Sequence, residues 1–241
     1  EEGVRNINGY RMKTASSTAV TFEQLKPLAR FAGKGNILPN TEGLILPFEA
    51  VNLKAIDVTV MRIFENNMLQ FLQVNNLEGN YDLSRVGRRL LKQKIQLDNT
   101  GITDIGKWNR YTLDLAKLIQ TEPGAIYQIS LSFRKSYASY QCDGEEPDED
   151  VAVMAEGDWQ DESMEGEGYY EDEYYYDEDY DWDQRDNPCN SSYYTNSKII
   201  RKNVLASDFG LMAKSGTDGA TTIIVNDIKT TEPLSGINIE F

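Results

Sequence analysis

Four aspartates, Asp177, Asp179, Asp181 and Asp183, alternate as D-x-D-x-D-x-D. Calcium takes six to eight oxygen ligands, and alternating carboxylates are a dense source of them. The spacing nevertheless departs from an EF-hand loop. Counted from Asp177, the place that needs a turn-forming glycine holds Trp182, and the place of the closing glutamate holds Pro188. A solvated acid run is therefore the expectation, with no metal or other cofactor. Paired carboxylates can also cleave glycosidic bonds, but 39 Asp and Glu residues guarantee pairs by chance and none stands out. The chain contains no histidine, which removes Ser-His-Asp and Cys-His centres, His-containing zinc sites and imidazole proton shuttles. Cys142 and Cys189 have no histidine or neighbouring lysine to lower a thiol pKa, so a thiol nucleophile is not expected. No catalytic residue can be named, and the chain reads as a non-enzyme.

The acids are concentrated in one place. Between the two cysteines, residues 143–188 hold 21 Asp and Glu against a single base, Arg185, a net charge of −20. The remainder has 18 acids and 23 bases, so a mildly basic body carries one acidic insertion. Self-repulsion and scarce apolar surface favour disorder in such a run. Six tyrosines and the tryptophans Trp159 and Trp182 complicate that reading, because their rings could lie on the basic body. Arg85, Arg88, Arg89, Lys92 and Lys94 form a basic cluster that reads best as the exposed face of a strand, opposing the acidic loop. Trp108, Tyr111, Tyr137 and Tyr140 could make a glycan platform, with core packing the better expectation. Asn190-Ser191-Ser192 fits a glycosylation sequon. With a net charge of −15 nucleic acid is an unsuitable partner, and no apolar run approaches the ~20 residues of a membrane span.

The elements that would carry these residues are strands. Lys54–Phe64 alternates Ile56, Val58 and Val60 with Asp57, Thr59 and Met61, as a strand with one buried face does. Arg88–Leu97 and Ala125–Phe133 repeat the pattern. Val20, Phe22 and Leu25 suggest a further short strand, as do segments ending near Leu38 and spanning Leu44–Phe48. Asn66–Leu77 and Leu113–Ile119 are the helix-like stretches. After Cys189, strands are expected at Lys198–Val204, Phe209–Lys214, Thr221–Asp227 and Gly236–Phe241, with Gly and Pro turns between the last three. Short strands at this spacing imply an all-β antiparallel sandwich. Residues 204–241 supply too few strands for a second sandwich, and the alternation of Ile237, Ile239 and Phe241 implies a fragment cut inside its next domain.

Leu205–Leu211, Ile223–Thr230 and Pro233-Leu234-Ser235-Gly236 resemble the opening of a macroglobulin-like domain of bacterial alpha-2-macroglobulins. Leu46–Leu53 before Ile56–Phe64 resembles the start of the preceding domain, and Leu113-Asp114-Leu115 with Pro123–Ile129 resembles its closing strands. The resemblance implies a non-catalytic structural piece of a protease-trapping endopeptidase inhibitor, exported to the periplasm or cell envelope, with a lipid anchor in the full-length protein. Its partners would be the other macroglobulin-like domains of the same chain and, for the whole protein, target proteases. The family's thioester reads Cys-x-Glu-Gln, whereas Cys142 is followed by Asp-Gly-Glu-Glu and Cys189 by Asn-Ser-Ser-Tyr. Covalent trapping is therefore not expected of this segment. The exported setting implies a disulfide between Cys142 and Cys189. The expected map is an arm or end of a preceding domain over 1–25, a sandwich over 26–198 with the insertion at 143–188, and a second macroglobulin-like domain from 199 to 241. The competing reading is a cell-surface adhesion or ligand-binding sandwich that uses the acidic aromatic loop.

Overall fold

The structure is a computed structural model and describes residues 5–11, 14, 17–19, 24–40, 43–74, 77, 87–98, 101, 104–142 and 180–239. Among the described residues ten strands run in chain order: β1 (Leu28–Phe31), β2 (Ile37–Leu38), β3 (Ile45–Val51), β4 (Ala55–Ile63), β5 (Gly87–Gln96), β6 (Asn109–Asp114), β7 (Ile126–Ser132), β8 (Ile200–Ala206), β9 (Phe209–Ser215) and β10 (Thr221–Asp227). Helix is brief, with α1 at Met68–Val74 and α2 at Leu115–Leu118. No helix among the described residues is long and apolar enough to cross a membrane.

Two sheets make the body. One has the order β1-β3-β6, the other β2-β8-β7-β4-β5, and every pairing is antiparallel except β2 with β8. Alternation decides what each strand buries, because successive side chains point to opposite faces. Ile56, Val58 and Val60 of β4, Tyr127, Ile129 and Leu131 of β7 and Val204 of β8 are buried in one cluster with Leu46, Phe48, Tyr111 and Leu113 of the smaller sheet. This is an all-β sandwich. The body's crossing turns are tied down. Gly124, at φ +79 where a side chain would be strained, donates its N–H to the Ala206 carbonyl at 2.6 Å. Asn52 turns the chain from β3 to β4 at φ 52, and its side-chain amide donates to the Leu25 carbonyl at 2.5 Å.

Three features differ from the sequence expectation. Ile200–Ala206, placed in the sequence reading with the residues from 199 onward, pairs with β7 from Leu131↔Ile200 to Ile126↔Leu205 and so lies in the larger sheet. Residues 236–239 form no strand; just before them the Asn226↔Pro233 bridge and the bond from Leu234 N to the Val225 carbonyl (2.8 Å) lie beside β10. β1 was not legible as a strand, whereas Val20 and Phe22 lie outside the described residues and Leu25 is not in a strand. β9 and β10 form a separate two-stranded sheet with full register from Phe209↔Asp227 to Ser215↔Thr221.

Candidate functional site

The acidic insertion departs from the β7–β8 connection. Three contacts fasten its departing stem to the β3–β4 turn: Lys54 N donates to the Tyr137 carbonyl (2.8 Å), Ser139 N donates to the Asn52 carbonyl (2.9 Å), and Leu53 bridges Ala138. Cys142 and Cys189 are then joined by a disulfide, with Cα atoms 5.7 Å apart. A thiol is thus absent at both positions. Residues 143–179, which include most of the insertion and Asp177 and Asp179, lie outside the described residues.

The returning stem is a plate of three single-turn 3₁₀ segments, Trp182–Gln184, Ser191–Tyr193 and Asn196–Lys198. Short polar side chains cap the first two, as Asn and Asp do where they compete with backbone partners. Asp181 accepts from Asp183 N at 2.9 Å, and Asn190 accepts from Ser192 N at 2.8 Å. The Asp181 carboxylate therefore serves a local turn, and no group of three metal-binding side chains occurs among the described residues. Asn190, the sequon asparagine, is engaged in the same local way.

Tyr193 and Tyr194 seat this plate in the core. Their hydroxyls donate to the Pro27 and Pro188 carbonyls, each at 2.8 Å, and Tyr194 meets Phe133 edge-on with ring centroids 6.0 Å apart. Burial, with the charge of Asp186 and then Tyr140 adding to it, pushes the Tyr193 phenol up to about 12. Lys26 Nζ closes the edge by donating to the Asp186 carbonyl at 2.5 Å. Trp182 remains 65% exposed, sandwiched between Tyr180 (6.4 Å) and the Arg185 guanidinium (4.4 Å). Sequence reasoning missed Tyr193 and Tyr194 because they sit in an Asn/Ser-rich stretch without strand or helix periodicity.

The basic cluster resolves into a sheet face. Residues opposite one another across a sheet share a face, so the register gives three rows on the outer side of the larger sheet: Lys94–Asp57–Ser132, Lys92–Thr59–Ser130–Arg201 and Arg89–Met61–Gln128–Asn203. A fourth row, Ile63–Ile126–Leu205, is covered by Met68 and Phe71 of α1. Asp57 is buried beneath Tyr137, whose hydroxyl donates to it at 3.0 Å, and Arg134, whose Nε lies at 3.3 Å. Lys94 Nζ lies 4.3 Å from the Tyr137 ring centre. Burial pushes the Lys92 ammonium down, against the opposing pull of Asp57. Arg85 is outside the described residues, and Arg88 is exposed on β5.

The smaller sheet has its own charged row. Arg30 and Arg110 flank Glu49 at 2.7 and 3.0 Å, and hydrogen bonds from Arg30 first and Arg110 second lower the Glu49 carboxyl. Trp108 lies under the Arg30 guanidinium at 4.1 Å. Tyr111 and Tyr137 are buried and Tyr140 is half-buried, so the four aromatics are dispersed and do not form one platform. A depression of about 290 Å³ opens between the β5 and β6 edges over Phe48, Ile95, Leu97, Tyr111 and Leu113. It contains no nucleophile with an adjacent base.

Residues 30–117 match the family model of the bacterial alpha-2 macroglobulin MG2 domain. Three solved structures of alpha-2-macroglobulin from Escherichia coli are similar. A crystal structure spanning domains MG0-NIE-MG1 is 13% identical with a TM-score of 0.48, over 96% of this chain and 55% of that one. One spanning NIE-MG1 is 16% identical with a TM-score of 0.45, over 87% of this chain and 73% of that one. The cryo-EM reconstruction of the native conformation is 20% identical with a TM-score of 0.42, over 54% of this chain and 8% of that one. The chain thus spans about half, 55%, of the first of these structures. No curated protein matches the chain.

Proposed function

We propose that this chain, whose residues 30–117 match the family model of the bacterial alpha-2 macroglobulin MG2 domain, is a non-catalytic structural segment of an alpha-2-macroglobulin-like endopeptidase inhibitor. The family match on strands β1 to β6 is the observation that carries this reading. The sandwich formed by residues 26–206 would be one rigid link in the frame of a protease trap. Residues 207–241 would open a second macroglobulin-like domain. The face formed by Phe209, Leu211, Ala213, Ile223 and Val225 has the composition of a sandwich interior and supports that assignment. The whole protein would be exported, periplasmic or envelope-associated, and lipid-anchored.

The test requires the full-length polypeptide. Incubated with a broad-specificity endopeptidase, it should be nicked, change its electrophoretic mobility under native conditions and hold the protease against a large protein substrate while small peptides are still cleaved. The isolated 241-residue chain should do none of these. Uninhibited cleavage of the large substrate by the full-length complex would overturn the reading. Exposed Trp182 at the mouth of the stapled excursion favours the second reading, a ligand-binding sandwich, which would show saturable binding by the isolated chain and no trapping by the full-length protein.

A further inference from the structure

We propose that the free edge of β6 is a strand-addition site for an extended segment of a separate polypeptide. That segment carries apolar residues on its inner side and an acidic residue opposite Arg110. β6 ends the sheet β1-β3-β6, so one of its sides has no partner strand among the described residues. The direction of its backbone groups follows from β3. Ala32 N donates to the Pro47 carbonyl at 3.0 Å, on the β1 side. Backbone groups of successive strand residues point to alternate sides, so Leu46 and Phe48 face β6, where they pair with Leu113 and Tyr111. Arg110 and Thr112 therefore turn their N–H and C=O outward, as donors and acceptors for a further strand.

Proteins guard such edges with short strands, lysines, prolines or bulges. The body's other edges carry these devices. β1 has four residues and β2 two, while β5 has four Lys and Arg residues and a register shift at Val60/Met61. β6 runs six residues in unbroken register without lysine or proline. Beside it lies the depression of about 290 Å³ over Phe48, Ile95, Leu97, Tyr111 and Leu113, with Gln96 of β5 on its rim. These surroundings give the occupant its pattern. On an antiparallel strand added to β6, residues opposite Tyr111 and Leu113 point inward and cover the apolar floor, and those opposite Arg110 and Thr112 point outward. The outer row there reads Arg30, Glu49, Arg110, so its charges alternate and it ends on a cation at the open edge. Arg110 is 68% exposed and gives Nε and Nη2 to Glu49, which leaves guanidinium donors for an acid directly across.

The test titrates the intact ¹⁵N-labelled chain with a capped peptide of alternating Glu and Val. Saturable shifts should appear at the Arg110 and Thr112 amides. Methylating the glutamate nitrogens, which face β6, should weaken binding about tenfold or more, because each bond to the edge is lost. Methylating the valine nitrogens, which face away, should leave it nearly unchanged. A peptide with Lys in place of Glu should bind about three- to tenfold more weakly, as for exposed ion pairs. Thr112→Pro removes an outward N–H that β3 does not use, so it should keep the parental melting temperature and weaken binding as glutamate methylation does. Arg110→Glu should reverse the preference between the Glu and Lys peptides. Equal binding of the two methylated peptides, shifts confined to β5 or the β9–β10 hairpin, or no saturable binding would overturn the proposal. So would self-association of the chain that shifts the same two amides, since the occupant would then be a second copy.

Discussion

The body and the β9–β10 hairpin use the same local code and reach opposite outcomes. Val58, Val60, Ile129 and Leu131 are fully buried, whereas Leu211 and Met212 are 65% and 62% exposed. β9 repeats Phe209, Leu211 and Ala213 at every second position much as β4 repeats Ile56, Val58 and Val60, so alternation alone cannot be the cause of the difference. The body has a second sheet to receive its apolar face, and the hairpin has none among the described residues. Alternation therefore specifies that a strand forms and which side wants burial, while the opposing sheet supplies the burial energy. A two-stranded hairpin without that cover is marginal in water.

The sharpest test is a paired truncation. Leu131→Ala should cost about 2–5 kcal/mol, the range for emptying a packed core position, while Leu211→Ala should fall within about 0.5 kcal/mol, as for a surface site. Urea unfolding followed by tryptophan fluorescence and circular dichroism would measure both. Equal losses would mean that the hairpin is covered in solution and that the contrast with the body is false.

The staple comes next. Replacing Cys142 and Cys189 by serine should lower stability by about 2–4 kcal/mol, as for a native disulfide closing a long loop. The loss should appear in the melting of the body and leave hairpin amide exchange unchanged, because the plate is seated through Tyr193 and Tyr194 against Pro27, Pro188 and Phe133. A melting temperature insensitive to reductant would show that the stems hold together without the bond.

These elements were unequally legible in the sequence. β4 and β7 could be read because apolar residues recur at every second position, Ile56, Val58 and Val60 in one and Tyr127, Ile129 and Leu131 in the other, and β5 keeps part of that repeat in Leu91 and Ile95. β1, only Leu-Ala-Arg-Phe, offers no such repeat. The membership of β8 depends on pairing with β7 across the whole insertion, and no local pattern encodes a partner that distant. The rows Lys94–Asp57–Ser132 and Arg30–Glu49–Arg110 run perpendicular to the chain and exist only once register is known. The aspartate repeat had the reverse fate. Its spacing was conspicuous, yet the Asp181 carboxylate caps a single turn, and Asp177 and Asp179 lie outside the described residues.

Alkali separates the two regions more gently. Tyr193, in the body, titrates at about 12 when folded because of its burial, against about 10 for an unfolded tyrosine. A raised acid favours the folded state while it keeps its proton. Its contribution is fully present below pH ~10 and is lost as pH rises toward and through 12. Stability of the body should therefore fall steeply above pH ~10, by about 2–3 kcal/mol at most, since each tenfold change in acid strength is worth about 1.4 kcal/mol. Tyr193→Phe, which loses the bond to Pro27 and about 1 kcal/mol at neutral pH, should flatten that fall. Melting temperatures from pH 8 to 12, read with phenolate absorbance, would show it. A parallel descent of both proteins would assign the alkaline loss elsewhere.

The smallest expected effect belongs to the hairpin and has the opposite sign. Asp227 ends β10 and accepts backbone hydrogen bonds from Thr230 N at 2.8 Å and Lys229 N at 2.9 Å. Those bonds lower its carboxyl, Thr230 first and Lys229 second. A depressed acid stabilises the folded turn above its unfolded value of about 3.9, and that support disappears as pH falls through the folded pKa. The turn also holds Thr231 at φ 62, a conformation that a β-branched residue rarely adopts and that the surrounding bonds must maintain. Acidification below pH ~4 should therefore loosen residues 227–232 before it disturbs the body. Amide exchange at Lys229, Thr230 and Thr231 should accelerate while Ile129 and Leu131 remain protected. Asp227→Asn should keep one acceptor oxygen and remove the charge, leaving exchange in the turn nearly independent of pH in that range. If the body amides accelerate in step with the turn, hairpin and sandwich open as one unit, and the independence inferred from their burial is wrong.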